Sequence, residues 1–183
     1  MLITISGVPG SGKTTVAKLL AARLGLPHVY AGDLFRQEAK RRGLTLEQFN
    51  DLCEQDHSID RQLDADMEAR ARAGNVVLEG RLAGYLADEN GLDALKVWLD
   101  ASDEVRARRV AEREAGDWRE VLAVNRARHG SDAKRYKLIY GYDLADTAVY
   151  DIVLNTDHRT PEALVEELAA RARQRFAADG DRP

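Results

Sequence analysis

The segment Gly7-Val8-Pro9-Gly10-Ser11-Gly12-Lys13-Thr14 carries its glycines, lysine and threonine at the spacing G-x-x-x-x-G-K-[ST]. Glycines at these positions let successive backbone N–H groups turn inward around a phosphate, and the N-terminus of a following helix adds its positive end. Lys13 is placed to reach β- and γ-phosphates, and the Thr14 hydroxyl to reach a Mg²⁺ ion. The motif has this meaning only between a strand and a helix. Both flanks meet that condition: "LITIS" (2 to 6) reads as a buried strand, and a helix runs from about Gly12 to Leu24, where Gly25 stops it. The loop is read as the holder of a nucleoside triphosphate.

A second set of residues follows two later strands. In an open parallel sheet, ligands bind beyond the carboxyl ends of the strands. "AGDLFR" places Asp33 and Arg36 there, with Asp33 a candidate helix cap, and "EGRLAG" places Glu79 and Arg81 there. Two arginines on separate loops can clamp a second phosphate bidentately. Between Arg106 and Lys137 stand ten Lys or Arg against five Asp or Glu, in a chain whose net charge is -4. Arg106, Arg109 and Arg113 share one helix face, as do Arg128, Asp132 and Arg135. A salt-bridged surface helix accounts for Glu104, Arg108 and Glu112 but not for the other face. That face is read as a lid whose arginines close on the triphosphate and exclude water, with Gly116 and Gly130 as hinge positions.

The elements that must position these groups alternate in type. Strands are read at "LITIS", "PHVYA", "NVVLE", "LKVWL" and "YDIVLN", and helices at about 33 to 42, 45 to 55 and 58 to 73, the last capped by Ser58. Another helix starts near Ser102. Apolar strands separated by helices imply a parallel α/β sheet with helices on both faces, joined by right-handed crossovers. One domain over residues 1 to 183 is expected, with helical insertions after the second and fourth strands and a frayed end at "AADGDRP".

A hydrophobic fraction of 44% with 32% charged residues is that of an ordinary globular chain. The acidic balance argues against a long nucleic acid or an anionic membrane as partner. Cys53, alone in the chain, excludes an internal disulfide, and the four histidines lack ligand spacing for a structural metal. No apolar run is long enough for a membrane helix, and no leader is recognisable, so a cytoplasmic location is expected; the chain is expected to act as a monomer on small-molecule nucleotides.

With these residues in place, the sequence resembles the nucleoside monophosphate kinases, most closely the short cytidylate kinases of archaeal type. The resemblance runs from Met1 to about Ala170 and rests on "ISGVPGSGKTT", "AGDLFR", "NVVLEGRLAG", "KVWLDAS", "AKRYKLIYG" and "YDIVLNT". It implies a three-layer P-loop fold with a core, an acceptor-binding helical region (32 to 73) and a lid (about 106 to 135). The implied reaction is transfer of the γ-phosphate of ATP to CMP or dCMP with Mg²⁺. By position, Gly7, Val8, Pro9, Gly10, Ser11, Gly12, Lys13, Thr14 and Thr15 would bind ATP. Arg36 and Arg81 would grip the acceptor phosphate, and Arg109 and Arg113 would belong to the lid. Arg128, Asp132 and Arg135 match an Arg-x-x-x-Asp-x-x-Arg pattern that bridges the acceptor and the reaction centre. Asp33 or Glu79 would orient water at the metal or accept from the acceptor.

One departure stands out: longer bacterial cytidylate kinases resemble "DGRD" where this chain reads "EGRL". Leu82 thus replaces a carboxylate, and base reading falls to Asp60, Arg61 and Asp64, since a carboxylate and a guanidinium together match the edge of cytosine. A kinase of the same architecture for AMP, UMP or a small metabolite is the nearest alternative. A GTPase switch would require an Asn-Lys-x-Asp motif where the fifth strand ends in "NTDH", and a nucleic-acid module would show aromatic residues among Arg106 to Arg113.

Overall fold

The computed structural model describes residues 1–177, with the backbone alone at Arg128. The expected frayed end therefore lies outside the described residues, apart from Ala177. Strand β1 (Leu2–Gly7) is buried along its whole length, as an apolar run must be when both sheet faces are covered. It forms the middle of a five-stranded parallel sheet with β2 (His28–Tyr30), β3 (Val76–Glu79), β4 (Leu95–Asp100) and β5 (Ile152–Asn155), in the order β2-β3-β1-β4-β5. The register sets Ile5 beside Glu79 and Gly7 beside Leu99. The carboxyl ends of the three central strands therefore finish at one edge, where the phosphate loop begins.

Helices α1 (Lys13–Leu24) and α8 (Pro161–Ala177) cover one face, packing Val16, Leu20, Leu164 and Leu168 on Ile3, Ile5, Val97 and Leu99. On the other face α4 (His57–Ala73) and α5 (Ala83–Glu89) cover Leu2, Val76 and Leu78. The insertion after β2 consists of α2 (Ala31–Arg41), α3 (Leu46–Gln55) and α4. It has a small core of its own around Phe49, Cys53, Ile59 and Ala39. A Thr45/Gln48 capping box opens α3, satisfying two helix-end donors reciprocally. After β4, α6 (Asp103–Glu114) turns at Ala115 and Gly116 into α7 (Trp118–Tyr140).

Several local expectations shift. The cap of α4 is Asp56, whose carboxylate accepts from the Ser58 N–H at 3.0 Å, so Ser58 lies inside the helix. Helix α2 already starts at Ala31, which puts Asp33 in its first turn and not at its cap. Gly130 lies within the continuous α7 and is no hinge, whereas Gly116 falls in the turn. The helix closes instead at Gly141, in the left-handed region at φ 70°. Among the described residues no helix is long and apolar enough to cross a membrane.

Candidate active site

The phosphate loop is shaped by close backbone approaches. A Cβ on Gly7, at φ 142°, would meet the Leu99 carbonyl oxygen at 2.0 Å, and one on Gly10, at φ 81°, would meet the Arg106 carbonyl oxygen at 2.7 Å. Only glycine fits at both positions. The start of α6 is thereby held against the loop. Arg106 is buried and donates to the carbonyl oxygens of Ala101 at 3.1 Å and Pro9 at 3.3 Å, and it pairs with Asp103. It is a brace for the loop, not a member of an unpaired lid face. Arg109 donates to Thr156 Oγ1 at 2.8 Å and to its carbonyl oxygen at 2.7 Å, while Thr156 Oγ1 donates to the Ser11 carbonyl at 3.0 Å. That chain ties α6, the end of β5 and the loop together.

At the head of α1, Lys13 Nζ donates to the Val8 carbonyl at 2.6 Å. Thr14 Oγ1 donates to Glu79 Oε1 at 2.5 Å, and His28 Nε2 donates to Glu79 Oε2 at 3.0 Å. Glu79 is fully buried at the tip of β3. One hydroxyl and one buried carboxylate form a donor set of hard oxygens, which suits Mg²⁺, an ion that keeps several of its waters. Thr15 faces solvent, and Val8 packs beneath the loop on the cluster of Leu82 and Trp98.

Beside the loop lies a second, charged cavity of about 60 Å³, small against the roughly 300–1,000 Å³ of ligand clefts. Asp60, Asp64 and Met67 of α4 line it together with Arg81 and Tyr136. Arg81 forms an ion pair with Asp132 of α7. Arg135 donates to Asp132 Oδ1 at 3.3 Å and to Asn50 Oδ1 at 3.4 Å. Its Nε lies 3.7 Å from Asp60 Oδ2, beyond hydrogen-bond range, and both atoms are buried without a hydrogen-bond partner. Buried polar atoms in that condition are costly unless something completes them. Tyr140 at the end of α7 donates to Asp64 Oδ2. Burial pushes the Asp64 carboxyl up to about 6, opposed by the Tyr140 hydrogen bond. Burial also raises Asp60, against the pull of Arg135.

Lys13, Thr14 and Glu79 thus gather at the loop, and Asp60, Asp64, Arg81, Asp132 and Arg135 at the cavity. Other expected residues lie elsewhere. Arg36 pairs with Asp33 at 2.5 Å and lies 5.0 Å above the Tyr30 ring; it does not line the cavity, because a carboxylate one turn earlier captures it at an exposed position. Arg61 faces solvent, since one residue beyond Asp60 is a rotation of about 100° away from the cavity. Arg113 is exposed and paired with Glu114 at 2.5 Å. The side chain of Arg128 lies outside the described residues. Residues not singled out from the sequence also belong here: His28, Tyr136, Tyr140 and Thr156. His129 is a fifth, its imidazole shifted down by burial and then by the positive charges of Arg106 and Arg81. On α7 the positions 125, 129, 132, 136 and 140 form one stripe at helical spacing, a signal hidden when arginines alone are followed.

Comparison with known proteins places this arrangement. A cytidylate kinase of Pyrococcus horikoshii is 44% identical over 164 residues, covering 90% of this chain and 84% of that protein. Among solved structures, an uncharacterised protein from Eubacterium ventriosum matches with a TM-score of 0.72 at 19% identity, over 93% of this chain and 97% of the other. The shikimate kinase of Bacteroides thetaiotaomicron matches with a TM-score of 0.58 at 17% identity, over 97% of this chain and 98% of the other. These two share the fold, a parallel sheet covered by helices. The family model described as cytidylate kinase-like matches residues 2–158, and the chain belongs to that family.

Proposed function

We propose that this chain transfers the γ-phosphoryl group of ATP to the phosphate of CMP or dCMP, giving ADP and CDP or dCDP. The observation that carries the reading is the adjacency of two charged sites. Glu79 touches Thr14 of the phosphate loop while Arg81 lines the cavity, and two residues of chain span at most about 7 Å. A donor phosphate on the loop and an acceptor phosphate at Arg81 would therefore meet. Family membership and the name of the Pyrococcus relative support the same reaction.

Phosphoryl transfer asks the protein mainly to position reactants and neutralise charge. Lys13 would leave the Val8 carbonyl for the β- and γ-phosphates, and the backbone N–H groups from Gly7 to Thr15 would cradle them. Thr14 and Glu79 would hold Mg²⁺, which supplies neutralisation of the triphosphate. An acceptor phosphate competes with Asp132 for Arg81 and Arg135, an exchange of one charge-assisted partner for another. Arg36 would join it by leaving Asp33. Arg109 would reach the transferring group by leaving Thr156, and Arg113 by leaving Glu114, while Arg128 would close over it with α7 as the turn between α6 and α7 moves. Asp60 and Asp64 would read the base. The test is ADP release from ATP and Mg²⁺ with CMP, dCMP, UMP, AMP and GMP offered singly, beside a control without acceptor. Turnover much faster with CMP or dCMP is expected, and equal slow release in every case would refute the proposal.

A further inference from the structure

We propose that Asp64, fastened by Tyr140, distinguishes cytosine from uracil through its own protonation, so that the acceptor preference of this site changes with pH. The inference rests on the reading of the charged cavity as the seat of the acceptor base. Asp64 lines that cavity one helical turn after Asp60. Tyr140 occupies its Oδ2, which leaves Oδ1 for a ligand. Tyr140 is itself held: its carbonyl accepts from the Tyr85 hydroxyl at 3.1 Å, and its ring packs with those of Tyr85 and Tyr136, centroids 6.4 and 6.2 Å away. The carboxyl group therefore presents one oxygen in one direction.

An ionised carboxylate only accepts hydrogen bonds, whereas a protonated one also donates. Cytosine carries an amino donor at the position where uracil carries a carbonyl acceptor, the same difference that separates C from T on a base edge. Ionised Asp64 matches the amino group and sets lone pair against lone pair with the carbonyl; protonation reverses both. The groups facing Asp64 are Asp60 on its own helix, Arg135, Tyr136 and Tyr140 from α7, and Arg81 from the segment after β3. Burial and the Asp60 charge push Asp64 up, the Tyr140 hydrogen bond and Arg135 push it down, and the balance falls at about 6. That lies inside the range where enzyme assays are made.

The experiment measures kcat/KM for CMP and for UMP between pH 5.5 and 8.5 and follows their ratio. Ionisation of the acceptor phosphate near pH ~6 affects both substrates alike and cancels. The CMP/UMP ratio is expected to fall by about tenfold or more from pH 8.5 to pH 5.5, driven by an ionisation near 6. In Tyr140→Phe, which loses a bond to the ionised form, the midpoint moves up. In Asp60→Asn, which removes a neighbouring negative charge, it moves down. Asp64→Asn, whose amide both donates and accepts, gives a low ratio that does not change with pH. A flat ratio in the wild-type protein, with CMP turnover intact, overturns the inference and leaves the proposed reaction standing. Absence of CMP turnover at pH 8 overturns the proposed reaction and this inference with it.

Discussion

The phosphate loop and the charged cavity are neighbours built on opposite plans. At the loop, Lys13 rests on Val8, Thr14 on Glu79, Glu79 on His28, and Arg106 on Pro9 and Ala101. The Ser11 hydroxyl is its exception, buried without a partner. At the cavity, Asp60 Oδ2 and Arg135 Nε are both buried without a hydrogen bond and face each other only as an ion pair at 3.7 Å, and the Asp64 carboxyl is pushed away from its charged form. A loop that binds through backbone N–H groups can be completed by its own fold. A site that must recognise a base needs side chains aimed inward, and buried charge of that kind costs stability until a ligand arrives.

The sharpest break of this contrast is expected at Lys13. Lys13→Met removes the charge that the proposed reaction sets against the transferring group, so kcat should fall on the order of 10²–10³-fold, about 3–4 kcal/mol, while the melting temperature stays near that of the parent. A comparable loss of thermal stability would mean that Lys13 is structural. Next is Asp132→Asn. It leaves Arg81 and Arg135 facing each other without their shared carboxylate, and removing one partner from a buried ion pair costs about 3 kcal/mol or more. Urea unfolding should show that loss, and it should shrink when the acceptor nucleotide is present, because the acceptor phosphate supplies the missing charge.

A third effect is smaller and of opposite sign. The Asp64 carboxyl is raised from 3.8 to about 6 in the folded chain. Between those values the folded chain holds a proton that the unfolded chain has released, so stability falls as pH rises through that window. At about 1.4 kcal/mol per unit the penalty at pH 8 is about 2–3 kcal/mol. Asp64→Asn should therefore be more stable than the parent at pH 8 and equal to it near pH 4, although a poorer discriminator of bases. Equal stability at both pH values would mean that Asp64 ionises as in the unfolded chain.

What could be read beforehand follows the same division. The loop and the central strands depend on local requirements: glycine where φ is positive, and continuous apolar runs where both faces are buried. The glycine motif, β1, β3 and β4 were legible for that reason, whereas the edge strands β2 and β5 are only partly buried and were legible from their short apolar runs alone. The cavity depends on contacts between distant segments, such as Arg81 with Asp132 and Asp64 with Tyr140. Helical periodicity groups Arg106, Arg109 and Arg113 on a face but does not say what covers it. The Pro9 carbonyl that accepts from Arg106 lies 97 residues away, so a brace reads as part of a lid. Arg61 fails for a simpler reason: adjacency to Asp60 in sequence is separation by rotation on a helix. Tyr140 was invisible because its role exists only through Asp64.

The smallest expected effect tests whether the loop side is as self-contained as its contacts indicate. Thr156 joins Arg109 to the Ser11 carbonyl through one hydroxyl, and it is almost fully buried. Thr156→Val keeps the volume and removes that hydroxyl, at a cost of about 1–2 kcal/mol in stability because Arg109 and the carbonyl each lose a bond. If the loop is braced by α6 and β5, the KM for ATP rises several-fold while the KM for the acceptor is unchanged. Serine at the same position keeps the hydroxyl and should restore the ATP value. An equal rise in both KM values would show instead that the two sites move together, and the division between a self-supporting donor loop and a ligand-completed cavity would fail.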